Sequence, residues 1–146
     1  MAPKLLVDGD PPPVELFNEA GRAPIVVLCD HAGRAIPRAL RGLGVEPAAL
    51  ERHVAWDIGA AEAARHLARR FDAPLILSTY SRLVIDCNRR IGDPSSSPVE
   101  SDDVRVPGNQ ALEPAAYAAR ASEIFWPYHR TIETAIRSEE HTSELQ

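Results

Sequence analysis

A chain of 146 residues suits one domain, with room for a core but little for an elaborate active site. Its 45% hydrophobic and 25% charged residues are ordinary for a globular protein, and a formal charge of -5 offers no basic footprint for nucleic acid or an anionic membrane surface. No apolar run reaches the roughly 18 residues of a membrane span, nor does the amino terminus hold a signal peptide's apolar region, so a cytoplasmic protein is expected.

Residues 1–23, with Pro11, Pro12 and Pro13 in a row, read as an extended arm before the fold. From Pro24, "PIVVLCD" is a short β-branched run without alternation, the pattern of a central strand covered on both faces, and "PLILSTY" from Pro74 repeats it. "LVIDC", residues 83–87, reads as a third strand. Between the first two, Pro37 and Pro47 each suit the first position of a helix. In "WDIGAAEAARHLARRF" the residues Trp56, Ala60, Ala64, Leu67 and Phe71 recur at helical spacing and should lie on the sheet. Strands alternating with helices predict an α/β fold with a largely parallel or mixed sheet flanked by helices.

Residues 91–110 are rich in Pro, Ser, Gly and Asp and read as a loop, either solvated or facing a substrate as a lid. A last helix is predicted from Glu113 to about Ile136, with Ala121, Ile124, Phe125, Tyr128 and Ile132 on its apolar face and a bend at Pro127. Residues 137–146, "RSEEHTSELQ", continue it without an apolar stripe and resemble the translation of a sequencing adapter. They are set aside as a non-native tail, and His141 with them. Cys29 and Cys87 each sit in an apolar run and read as buried thiols.

Four stretches carry side chains suited to chemistry. In "CDHAGRAIP", Asp30 and His31 follow directly on a strand, at the sheet edge where α/β proteins bind ligands. His31 is there either to face a metal or substrate or to satisfy a loop hydrogen bond. Gly33 permits a tight turn or close approach. In "HVAWDIGA", Asp57 precedes a helix as a cap or as a metal-binding carboxylate, and His53 and His66 are weaker candidates. In "YSRLVIDCNRR", strand alternation would put Asp86 and Asn88 on one face with Arg89 emerging beyond. This is either an ion pair closing the strand or an anion clamp, with Arg82 a second anion-binding group. In "FWPYHRTI", Pro127 loosens the helix before His129 and can aim it into a cleft.

Taken in order, "DHAGRAIP", "HVAWDIGA", "YSRLVIDCNR", "VPGN" and "PYHRTI" resemble the N-formylglutamate amidohydrolase family over residues 24–136. The resemblance implies a zinc-dependent hydrolase with a metallocarboxypeptidase-like α/β fold that removes the formyl group from a small acidic N-formyl amino acid. It implies His31 and Asp57 as metal ligands, and Asn88 and Arg89 as a grip on a substrate carboxylate. Asp86 would support that grip and Arg82 assist it, while His129 would act as general acid or orient a neighbour. The family carries a further His in a strand beyond the "PYHRT" helix. Residues 24–136 are therefore expected to be the amino-terminal part of an amidohydrolase domain that lacks its third zinc ligand. A competing reading is a non-catalytic α/β module holding a small carboxylate or phosphate through Arg82, Arg89 and Arg90. A phosphate-binding enzyme is disfavoured, since neither GxxxxGK[ST] nor GxGxxG occurs.

Overall fold

The sheet is built around the run "LILS". A computed structural model describes residues 3–144, with side chains through residue 138. Strand β3, Leu75–Ser78, is buried at all four positions and lies between two neighbours. Strand β1, Val14–Phe17, pairs with it antiparallel, and β2, Val27–Cys29, pairs with it parallel. Alternation along β3 sends Leu75 and Leu77 to one face and Ile76 to the other. On the first face sits α2, Ala60–Phe71, through Ala64 and Ala68. On the second lies the main core, which takes in Ile124 and Tyr128 from the carboxyl-terminal helices. The result is a mixed α/β architecture in which one short sheet is covered on both sides.

Several expectations need correction. The run "PIVVLCD" gives an edge strand of three residues rather than a central one, because only β3 finds a partner on each side among the described residues. The amino-terminal segment is extended as expected but packs onto the domain: it supplies β1, buries Leu5, and bonds the amides of Leu5 and Leu6 to the Glu123 carboxylate at 2.7 and 2.9 Å. Leu67 and Phe71 are 45% and 55% exposed. Helix α2 meets the sheet on its small alanines, which turns the predicted stripe partly to solvent.

The helical stretch after Pro37 is a 3₁₀ segment, Arg38–Gly44, broken where Arg41, Gly42 and Leu43 turn left-handed. The stretch after Pro47 is the single turn α1, Pro47–Leu50. Residues 91–110 are more ordered than a solvated loop. They hold 3₁₀ turns at Pro94–Ser96 and Pro107–Asn109 and the small hairpin of β4, Glu100–Ser101, with β5, Val104–Arg105, and they bury Ser96, Ser97, Val106 and Asn109.

The largest correction concerns "LVIDC", which is buried but is not a strand. After the parallel bridge between Ala35 and Tyr80 the chain leaves the sheet, so no ladder meets its carbonyls. Side chains meet them instead. Asn109 Nδ2 donates to Leu83 O at 2.8 Å, and Ser97 Oγ and Arg120 Nη1 both donate to Val84 O at 2.8 Å. Buried backbone must be paired somewhere, and here polar side chains replace the neighbouring strand.

The last helical region is α3, Pro114–Arg120, then one π-turn at Ala121–Phe125, then α4, Trp126–Glu144. The predicted disturbance at Pro127 takes the form of that π-turn: the Trp126 amide reaches back five residues to Ala121 O, just before the residue that lacks an N–H. The predicted apolar face holds, with Ala121, Ile124, Phe125 and Tyr128 buried and Ile132 partly so. No described helix is long and apolar enough to cross a membrane.

Candidate active site

Parallel β2 and β3 end at the same sheet edge, so the residues that follow them meet. His31 comes two positions after β2, and residues 81–89 follow β3 through Tyr80. Gly33 permits this approach for a reason other than a ligand: a Cβ there would lie 1.9 Å from Thr79 O. The Asp57 amide donates to His31 O at 3.0 Å, which fixes the segment before α2 against the same edge.

His31 stands between two carboxylates. Its Nε2 lies 2.6 Å from Asp86 Oδ1, and its Nδ1 lies 3.4 Å from Asp57 Oδ2. Asp86, only 4% exposed, also accepts from the Asn88 amide at 2.8 Å and lies 3.7 Å from Arg89 Nε. Arg82 Nη1 donates to Asp57 Oδ1 at 3.0 Å. The line thus runs Arg82, Asp57, His31, Asp86, with Asn88 and Arg89 exposed at its end.

The electrostatics follow from these contacts. The hydrogen bond to Asp86 raises the His31 pKa above the ordinary histidine value, against burial and the Arg82 charge. Burial would raise the Asp86 carboxyl, but hydrogen bonds from His31 and the Asn88 amide, with the charges of His31 and Arg82, together hold it below the usual carboxylate value. Cys87 is no nucleophile: it is buried beside this edge, and burial pushes its thiol up to about 12. Cys29 is buried as well, as expected.

Among the described residues no group of three His, Cys, Asp or Glu side chains is placed to hold a metal ion. The donor set nevertheless suits two ligands of one. Ligands about 2.0–2.2 Å from a tetrahedral zinc stand roughly 3.3–3.5 Å apart, and His31 Nδ1 and Asp57 Oδ2 are separated by 3.4 Å. With Nε2–H held by Asp86, the remaining imidazole nitrogen faces Asp57, the tautomer and orientation that a carboxylate imposes on a metal-binding histidine.

The other predicted residues divide. Asp86 stands against His31 as well as beside the Asn88 and Arg89 segment. The alternation argument does not survive, because "LVIDC" is no strand: Asp86 is buried while Asn88 and Arg89 are exposed. Asp57 does not cap α2, whose capping residue is Gly59 with no side-chain bond. Arg82 is engaged with Asp57. His129 donates from Nε2 to Cys87 O at 2.8 Å, one residue from Asp86, instead of facing an open cleft. His53 pairs with Asp102 at 2.5 Å and His66 is exposed on α2, so neither joins the group. The His141 side chain lies outside the described residues. A groove of about 430 Å³ between sheet and α4, lined by Leu16, Val26, Ile76 and Thr134 among others, contains none of the site residues.

Sequence reading missed three supports. Tyr128, expected only as core, donates its hydroxyl to Asp30 Oδ1; the clue was that a buried tyrosine needs a partner for its hydroxyl. Asn109 and Arg120 hold the irregular 83–88 segment, and no spacing signal links them to it.

Comparisons with known proteins bear on the fold and the family. The chain superposes with TM-score 0.92 and 34% identity on a crystal structure of a gene product from Agrobacterium tumefaciens, over 95% of this chain and 55% of that one. The chain thus spans about half the length of that structural relative. No curated protein matches it. The family model described as N-formylglutamate amidohydrolase matches residues 23–144, and with that span covering most of its length the chain belongs to the N-formylglutamate amidohydrolase family.

Proposed function

We propose that the chain carries a metal-binding pair and an anion-binding segment of a hydrolase that removes the formyl group from an N-formyl amino acid such as N-formylglutamate. The observation that carries this reading is the 3.4 Å gap between His31 Nδ1 and Asp57 Oδ2, with Asp86 fixing the other imidazole nitrogen at 2.6 Å. Family membership supports the reaction class.

Each residue has a task that its contacts suit. Asp86 keeps the proton of His31 on Nε2, which leaves Nδ1 free to donate its lone pair. Arg82 occupies Asp57 Oδ1 and so turns Oδ2 toward His31. Asn88 and Arg89, exposed beside Asp86, present amide and guanidinium donors to a substrate carboxylate and orient the formamide toward the pair. His129, committed to the Cys87 carbonyl, suits an orienting role better than that of a general acid. Zinc, when bound, supplies Lewis acidity for the formyl carbonyl and lowers the pKa of a water to about 7.

Two described ligands fall short of the three usual for catalytic zinc, so this chain should bind zinc weakly and turn over little substrate. Equilibrium dialysis against zinc, with formate release from N-formylglutamate measured on the same samples, tests the reading. His31→Ala and Asp57→Ala should abolish zinc binding, and Asp86→Asn should weaken it about 10–100-fold. Zinc uptake indifferent to all three substitutions would refute the assignment. Chelator-resistant carboxylate binding that needs Arg82, Arg89 and Arg90 but not His31 would favour the non-catalytic module.

A further inference from the structure

His31 and Asp86 come from segments 55 residues apart, and their 2.6 Å contact needs both backbones held in place. Two consecutive residues of α4 reach both segments. Tyr128, fully buried, donates its hydroxyl to Asp30, the neighbour of His31. His129 donates from Nε2 to the carbonyl of Cys87, the neighbour of Asp86, at 2.8 Å. We propose that Tyr128 and His129 are positioning residues, a two-point clamp by which one helix sets the imidazole of His31 against the carboxylate of Asp86. The proposal rests on the reading of His31 as the working imidazole.

Successive helical side chains diverge by about 100°, so both can serve one site only if their targets lie to either side of the helix stripe that faces it. Ala121, Ile124 and Tyr128 share the buried stripe at ordinary helical spacing, and the π-turn at Ala121–Phe125 lies just ahead of the pair. The His129 ring is held in turn against Phe125, with centroids 4.1 Å apart. The other ties on the 83–87 segment come from different elements: Asn109, Ser97 and Arg120 hold Leu83 and Val84, and Ser96 O takes the Asp86 amide. Among the described residues, the bond from His129 to Cys87 O is the hydrogen bond that joins this segment to α4.

The test needs neither zinc nor substrate. In the full chain with ¹⁵N-labelled histidine, the Nε2–H of His31 in so short a bond should give a downfield proton resonance in slow exchange with water. His129→Gln retains a side-chain donor and should preserve that signal. His129→Leu and Tyr128→Phe should lose it, or speed its exchange at least tenfold, while amide resonances elsewhere stay in place. Should His129→Leu not fold, Tyr128→Phe, which removes a single oxygen, decides alone. An unchanged His31 signal in the folded variants overturns the clamp, as does its absence from the unaltered chain. A chain that shows the pattern but never hydrolyses an N-formyl amino acid refutes the proposed function and leaves the clamp standing. Hydrolysis with a signal that ignores α4 does the reverse.

Discussion

Two buried apolar runs, "LILS" at residues 75–78 and "LVID" at 83–86, have nearly the same composition and opposite structures. The first is a strand because β1 and β2 supply its hydrogen-bond partners. The second is irregular because Asn109, Ser97 and Arg120 supply them. A ladder fixes alternate side chains to opposite faces and leaves little choice of direction. Side-chain ties leave the backbone free to turn, and the second run uses that freedom to bury Asp86 against His31 while it exposes Asn88 and Arg89 two and three residues beyond. The scaffold is regular where it bears load, and irregular where it must aim groups in different directions.

The contrast can be broken at the junction of the two regions. Gly33→Ala forces a Cβ into the Thr79 backbone where the chain leaves the sheet. It should cost about 3–5 kcal/mol in urea unfolding, or prevent folding outright. Less severe is Arg120→Met. The side chain is 1% exposed and donates to Val84 O, Asn109 Oδ1 and Gly108 O, although its Nε finds no partner and burial depresses its pKa to about 10. Loss of three bonds, offset by relief of a buried charge, should cost about 3 kcal/mol by the same measurement. A neutral outcome would mean that the irregular run does not depend on those donors.

His31→Ala leaves Asp86 buried with only the Asn88 amide and a distant guanidinium, and should cost about 2 kcal/mol at neutral pH. The pH dependence of that cost sharpens the point. The His31 pKa is raised on folding, so its contribution is complete below the unfolded value of 6.5 and fades as pH rises through the folded value. The Asp86 pKa is lowered, so its contribution is complete above 3.8 and fades as pH falls through the folded value. The stability difference between the parent chain and His31→Ala should therefore be largest from about pH 4 to 6.5 and shrink on the alkaline side. A difference that grows with pH would reverse the assignment. At the small end, Arg34→Ala, which breaks the exposed Glu51 pair and the stack on Trp56, should change stability by less than about 1 kcal/mol.

How much of this could be read from the residues alone differs between the same two regions. Periodicity and β-branched content located β3, α2 and the terminal helices, because regular structure repeats and repetition is visible. The motif stretches also brought His31, Asp57 and Asp86 to one edge as expected. What stayed hidden was the irregular part. Apolar burial in 83–87 looked like a strand because burial alone does not show who bonds the carbonyls. The partners, Asn109 and Arg120, lie over twenty residues downstream with no periodic link. The π-turn was half visible: Pro127 announced a break, but its form depends on which carbonyl the Trp126 amide reaches. Leu67 and Phe71 were misplaced because a helix packed on alanines rotates to bring its smallest side chains against the sheet.

The most direct test is a crystal of the chain soaked in millimolar zinc and measured at the zinc absorption edge. An anomalous peak is predicted about 2.0–2.2 Å from both His31 Nδ1 and Asp57 Oδ2, with Asp86 still on Nε2. Zinc on His31 Nε2, or bound only at sites remote from His31, would contradict the account.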